Sequence, residues 1–249
     1  MDVPELLDEL AREGALLTAV AERGDPDAPV PSCPEWTLRD LVYHTGGVHR
    51  WATRVVTERS PGPIDETLEA VASGWPADRD LAAWFRAGHT LLVDALRTAP
   101  DDLECWSFLA APSPLAFWAR RQLHETTIHR VDAELATFGI SEIPTALAVD
   151  GIDELLTCFV PRRSTKLRPE KATSLAVCPT DSDAAWLVAA GPEGATTERG
   201  AGDADVLIRG PAADLYLLLW NRGPLDGIDV TGDPSLLDLW RSNVTIRSS

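Results

Sequence analysis

The hydrophobic pattern of this 249-residue chain changes near residue 160. Before that point, apolar residues recur at helical spacing between Pro and Gly breaks. After it, short runs rich in branched residues are bounded by Gly, Pro and Asp. Helical spacing predicts amphipathic helices, and short branched runs predict strands. We therefore expect an α+β protein with two domains, a helical bundle over residues 1–160 and a small α+β domain over residues 161–249.

Four long helices are expected in the first domain, covering residues 4–23, 37–58, 79–98 and 114–138. Thr37 and Asp40 form a capping pair at the start of the second helix. Four amphipathic helices joined by connections of mixed length favour a four-helix bundle, with a fifth helix near residues 145–160 linking or flanking it. The pair Gly46 and Gly47 lowers helix stability, so we expect a bend or a close backbone approach there.

The charge balance limits the possible partners. The chain has 39 acidic and 22 basic residues, a net charge of −17, and no Lys/Arg cluster that would bind phosphates. We therefore expect no nucleic-acid and no membrane partner. The sequence has no apolar run of about 18 residues, and its acidic N-terminus is unlike a signal peptide, so we expect a cytoplasmic protein. Four scattered cysteines are typical of reduced thiols, although the role of Cys33 is left open, as is the oligomeric state.

The stretch "HETTIHRVD", residues 124–132, contains a candidate metal site. Glu125 and His129 are four residues apart, so on a helix they are offset by only about 40°. His124 and His129 are about 140° apart and cannot bind one ion. A third ligand must come from a facing helix, and His44 shares the apolar stripe of the second helix. By the same spacing, His49 is expected outside that stripe.

Spacing alone leaves other interpretations open. A Glu and a His four residues apart are also common in surface contacts and structural networks, and a histidine on an apolar face is often a core residue. His89 and His124 are expected in packing or on polar faces. Asp132 is either a hydrogen-bond partner of a metal ligand or a solvated acid. Two histidines and one carboxylate also suit Fe(II).

Two stretches resemble the mycothiol-dependent maleylpyruvate isomerase family, actinobacterial relatives of the DinB-like metal-binding bundles. They are "VPSCPEWTLRDLVYHTGGVHRWA" and "RRQLHETTIHRVDAELA". The stretches "DADVLIRGPAADLYLLLWNRG" and "IDVTGDPSLLDLW" are similar to the second domain of that family, which is related to sterol carrier proteins. The resemblance covers nearly the whole chain.

The resemblance implies a divalent metal, zinc in the characterised members, bound by His44, Glu125 and His129. It also implies mycothiol as a thiol cosubstrate and Arg222 as a catalytic residue that binds substrate carboxylates. The alternative role of Arg222 is a helix C-terminal cation. We therefore expect an isomerase or S-transferase that uses a low-molecular-weight thiol on a small carboxylate or electrophile. The alternative is a metal-binding or small-ligand-binding protein of the same fold without isomerase activity.

Overall fold

A computed structural model describes residues 1–246 of the chain. Two compact units are present, one of residues Met1–Ser141 and one that begins at Glu142. The sequence predicts a domain boundary at residue 160, after the expected fifth helix. In the structure that helix belongs to the second unit. Among the described helices, none is long and apolar enough to cross a bilayer.

The first unit is a bundle of four long α-helices, with one short α-helix and a 3-10 turn at Asp78–Asp80. The α-helices are α1 (Val3–Arg23), α2 (Leu38–Thr57), α3 (Leu68–Val71), α4 (Leu81–Thr98) and α5 (Pro114–Leu135). The predicted capping box of Thr37 and Asp40 starts α2, and Asp2 and Glu5 form another at α1. Helices α1 and α2 each pack against both α4 and α5. The predicted four-helix bundle is thus confirmed.

The two glycines of α2 allow close approaches to neighbouring elements. A methyl group on Gly46 would lie 2.2 Å from the Trp84 ring, and one on Gly47 would lie 2.9 Å from Leu68 Cβ. Arg50 lies 3.8 Å above the same Trp84 ring and donates to the Gly46 carbonyl at 2.9 Å. The predicted close approach therefore occurs between α2 and both α3 and α4.

Two expectations about the helix faces were wrong. Helix α5 is not amphipathic, because residues on nearly all of its sides are buried. Its most buried guanidinium, that of Arg130, is paired with Glu13 at 2.8 Å and Glu134 at 2.6 Å. Arg130 is thus buried together with two carboxylates that pair with it. His49 is also fully buried, and its ring packs against the Phe85 ring.

The second unit is an α+β domain around a mixed five-stranded sheet. The strands are β1 (Thr173–Pro179), β2 (Trp186–Gly191), β3 (Gly194–Arg199), β4 (Val206–Gly210) and β5 (Asp229–Gly232), in the spatial order β3-β2-β1-β4-β5. Strands β1 and β4 are parallel and the other pairs are antiparallel. The sequence of β3, "GATTER", is polar and mostly outside the core, so it is not one of the branched-residue runs that predict strands.

Three helices complete the second unit. They are α6 (Thr145–Glu154), which continues as a π-helical turn over Leu155–Phe159, α7 (Ala212–Leu219) and α8 (Ser235–Asn243). Helix α7 packs against α6, β1 and β4. Arg199 of β3 binds Asp153 of α6 through two contacts of 2.5 and 2.7 Å. The predicted α+β class is confirmed.

Substituting Gly46 by Ala tests the close contact between α2 and α4. A Gly-to-Ala change inside a helix normally stabilises it by up to about 1 kcal/mol. Here the added methyl group overlaps the Trp84 ring, so we expect the free energy of unfolding to fall by about 1–3 kcal/mol in urea titrations. Gly62→Ala is the control, since its methyl group would have no atom within 4 Å. A Gly46→Ala protein as stable as the parent would contradict the described packing.

Candidate metal centre

The three predicted metal ligands meet between α2 and α5. Glu125 Oε1 lies 3.2 Å from His129 Nε2 and 3.5 Å from His44 Nε2. One donor atom from each of the three residues lies within 4.8 Å of the others. The spacing of four residues places Glu125 and His129 on one face of α5, as predicted, and His44 faces them from α2.

The separations of these donor atoms suit a small cation. Two ligands at about 2.1 Å from a tetrahedral zinc ion are about 3.4 Å from each other. The two separations measured from Glu125 Oε1 lie on either side of that value. About a tenth of each side chain is exposed, 11% for His44, 13% for Glu125 and 8% for His129. The donor set thus fits a divalent metal and is not fully closed to solvent.

A hydrogen-bonded chain fixes the orientation of His129. Its Nδ1 lies 3.0 Å from Asp132 Oδ2, and the Ser32 hydroxyl donates to Asp132 Oδ1 at 2.5 Å. Because Nδ1–H donates to the Asp132 carboxylate, Nε2 faces Glu125, and a cation bound there would take the place of the Nε2 proton. Asp132 is therefore the hydrogen-bond partner of a candidate ligand rather than a solvated acid.

Two further residues that sequence reasoning missed border the cluster. Arg121 is buried and its guanidinium lies 3.4 Å from Glu125 Oε2, the oxygen that does not face the histidines. Its position one helical turn before Glu125 could have revealed it. The Trp36 ring lies 4.9 Å from the His44 ring and 6.1 Å from the His129 ring. Trp36 comes from the loop before α2 and forms an aromatic wall of the site.

The charges around Glu125 and His129 favour their ionised forms. Burial lowers the pKa of His129, but hydrogen bonds and charges from Asp132 and Glu125 outweigh it and raise the pKa to about 9. Burial raises the pKa of Glu125, but His129, His44 and Arg121 together hold it well below its usual range. The surroundings of these two side chains therefore stabilise positive charge next to a carboxylate.

Comparisons with known proteins agree with this architecture. The family model described as the mycothiol maleylpyruvate isomerase N-terminal domain matches residues 7–134, more than half of the chain. The chain belongs to the mycothiol-dependent maleylpyruvate isomerase family. The C-terminal domain model of this family matches residues 146–239. No curated protein sequence matches the chain significantly.

Two solved structures of the family are similar along nearly the whole chain. The crystal structure of the mycothiol-dependent maleylpyruvate isomerase has a TM-score of 0.63 and 16% identity, and the match covers 93% of each chain. A histidine-to-alanine mutant of that isomerase has a TM-score of 0.64 and 15% identity, with the same coverage. At such low identity, these similarities show the fold that the family shares.

The other residues singled out in the sequence lie elsewhere. His124 and His89 are buried packing residues outside the candidate centre, and Cys33 packs partly buried against the bundle core. Arg222 follows α7 in the second unit, after Asn221, whose φ of +62° ends the helix. The Arg222 guanidinium donates to the Trp220 carbonyl at 2.8 Å, as a cation at a helix C-terminus does.

Replacing Asp132 by Asn tests whether this side chain supports a metal ligand. The amide keeps the shape of the carboxylate but loses its charge, which weakens the orientation and basicity of His129. We expect the zinc affinity to fall by about 10- to 100-fold in competition with a chromophoric chelator. The exposed Asp102→Asn serves as a control with the same charge change. Equal zinc affinity in the Asp132 and Asp102 variants would contradict the assigned role.

Proposed function

We propose that the protein is a mycothiol-using, zinc-dependent isomerase or thiol transferase, with His44, Glu125 and His129 as the zinc ligands. Membership of the isomerase family supports the reaction class. The observation that carries the proposal is the convergence of three donor atoms of the right type, from two helices, within 4.8 Å. Zinc with three protein ligands has an open coordination position and favours the thiolate form of a bound thiol.

The side chains of the bundle prepare this site in three ways. Asp132 orients the His129 ring, so that its Nε2 faces Glu125 Oε1, which His44 Nε2 also faces. Arg121 contacts the other oxygen of Glu125 and offsets part of its charge. The Trp36 ring packs beside the His44 ring at 4.9 Å. Each of these contacts holds a donor in place before any ligand arrives, which reduces the entropy lost on binding.

The proposed reaction needs an anionic nucleophile and a partner for the substrate carboxylates. A thiolate adds to a conjugated carbon–carbon double bond, the resulting single bond rotates, and the thiolate leaves again, so no atom is gained or lost. A guanidinium suits the carboxylates because it binds both oxygens of one group. We propose Arg222 for this role, supported by the resemblance of "LLLWNRG" to the family.

The same donor set allows a second candidate metal. Two imidazoles and one carboxylate also form the ligand set of non-heme Fe(II) oxygenases. Elemental analysis of protein purified without added metal and without oxygen separates the two. Stoichiometric zinc would support the isomerase proposal, whereas stoichiometric iron would favour an oxygenase.

The isomerase proposal is tested by incubating zinc-loaded protein with mycothiol and maleylpyruvate and following fumarylpyruvate. We expect turnover that requires both mycothiol and zinc. In His44→Ala we expect loss of stoichiometric zinc and of turnover together, because two ligands hold the ion weakly. His89→Phe is the control, since His89 lies outside the three-residue cluster.

The possible outcomes separate the two parts of the proposal. No product above background with zinc-loaded protein would remove the isomerase assignment and leave the metal site standing. Full zinc occupancy in His44→Ala would refute the ligand assignment itself.

Substitution of Arg222 tests its proposed role in substrate binding. We expect Arg222→Ala to lower kcat/KM for maleylpyruvate roughly 10- to 100-fold, because a hydrogen-bonded charge pair with a carboxylate is lost. Zinc content should stay unchanged. Arg222→Lys should recover part of the loss, since it restores the charge without the paired donors. A lower Tm with unchanged kcat/KM would show that Arg222 acts only as a helix C-terminal cation.

A further inference from the structure

The two carboxylate oxygens of Glu125 have different partners. Oε1 lies 3.2 Å from His129 Nε2 and 3.5 Å from His44 Nε2. Oε2 lies 3.4 Å from the guanidinium of Arg121. The carboxylate thus directs one oxygen to the candidate metal position and the other to a positive charge. This asymmetry bears on how many of its oxygens an ion can bind.

Arg121 is well placed to keep its contact with Oε2. It lies four residues before Glu125 on α5, so the two side chains are neighbours on one face of the helix. Only 4% of the Arg121 side chain and 13% of the Glu125 side chain is exposed, so water screens the attraction between them weakly. A guanidinium does not lose its proton in proteins. Arg121 is therefore a permanent charge beside Oε2.

A carboxylate binds a cation through one oxygen or through both. Ca²⁺, a large cation, takes six or more oxygen ligands and accepts carboxylates in both modes. Zinc in catalytic sites has three protein ligands and one exchangeable position. A second oxygen from Glu125 would compete for that position. Turning Oε2 towards the ion would also move it away from Arg121 and weaken a contact between two buried charges.

We propose that Arg121 is a positioning residue that holds Glu125 as a one-oxygen ligand, which keeps a coordination position of the metal open and favours zinc over larger cations. This inference rests on the proposed metal site of His44, Glu125 and His129. Arg121 does not bind the ion itself, because a guanidinium has no lone pair to donate. It acts on metal selectivity through the ligand that it contacts.

The coordination mode of Glu125 is measured first in the parent protein. Infrared difference spectra between zinc-loaded and metal-free protein, labelled with ¹³C-glutamate, show only the glutamates that change when zinc binds. The separation between the two carboxylate stretching bands is large for one-oxygen coordination and small for two-oxygen coordination. We expect the large separation, because Arg121 holds Oε2.

Arg121→Met removes the charge and keeps an unbranched side chain. We expect the Glu125 bands to change to the two-oxygen pattern, and the ratio of zinc affinity to cadmium affinity to fall at least about tenfold in chelator competition. The ratio is measured because the loss of a nearby positive charge raises the affinity for every divalent cation. Arg121→Gln takes the place of Arg121→Met if the latter does not fold, with the same expected changes.

Two further variants separate charge at this position from charge elsewhere. Arg121→Lys keeps a cation near Oε2 and should recover most of the parent ratio. Arg79→Met makes the same charge change at an arginine whose side chain is 86% exposed and which lies outside the three-residue cluster. Its ratio of zinc to cadmium affinity should equal that of the parent.

Thiol binding reports on the open coordination position. Cobalt(II) takes the place of zinc, and a thiolate bound to it gives a charge-transfer band in the near ultraviolet. Mercaptoethanol titrated into the cobalt-loaded parent should produce this band. In Arg121→Met we expect its apparent affinity to fall at least about tenfold, because the second oxygen of Glu125 competes for the position.

The outcomes separate this inference from the proposed function. A parent protein that binds no stoichiometric zinc would overturn the metal site and the role of Arg121 together. Two-oxygen coordination in the zinc-loaded parent would overturn the role of Arg121 alone. So would a missing thiolate band in the cobalt-loaded parent, or a zinc-to-cadmium ratio in folded Arg121→Met equal to that of Arg79→Met.

Discussion

The architecture of the first unit depends on burying a polar helix. Helix α5 carries several charged and hydroxylated residues, and burying a charge is costly unless it is paired and hydrogen-bonded. Arg130 meets this requirement with Glu13 and Glu134. Removing one partner of such a pair typically costs about 3–5 kcal/mol. These contacts fix the orientation of α5 about its own axis, because any other orientation would leave buried charges without partners.

That orientation determines where the candidate metal centre lies. With Arg130 turned towards α1, Glu125 and His129 face α2, where His44 meets them. On another side of α2, Gly46 allows the Trp84 ring of α4 to approach the α2 backbone closely. The position of His44 is thus set by contacts on two sides of α2. Helix packing thus brings the three donors together, and the attraction between Glu125 and the histidines adds to it.

Much of this could be predicted from the sequence, because the determinants are local. The caps at Asp2 and Thr37 and the pairing of Glu125 with His129 follow from spacings of three and four residues. The bond from Ser32 to Asp132 joins residues a hundred positions apart and has no local signal. The burial of His49 was missed for a related reason. Amphipathic spacing assumes that polar residues face water, and in this bundle many of them face each other.

The histidines of the bundle show that environment, rather than residue type, determines what a side chain can bind. His129 lies between two carboxylates, which raise its pKa and suit the position to a cation. His89 is equally buried but, within the described part of the chain, has no carboxylate beside it, so burial lowers its pKa to about 4 and it stays neutral. In the candidate centre, one oxygen of Glu125 faces both His44 and His129, and Asp132 supports the His129 ring. A simple structural ion pair would need neither feature. The first arrangement is organised for a charged ligand, whereas the second is a buried, neutral ring.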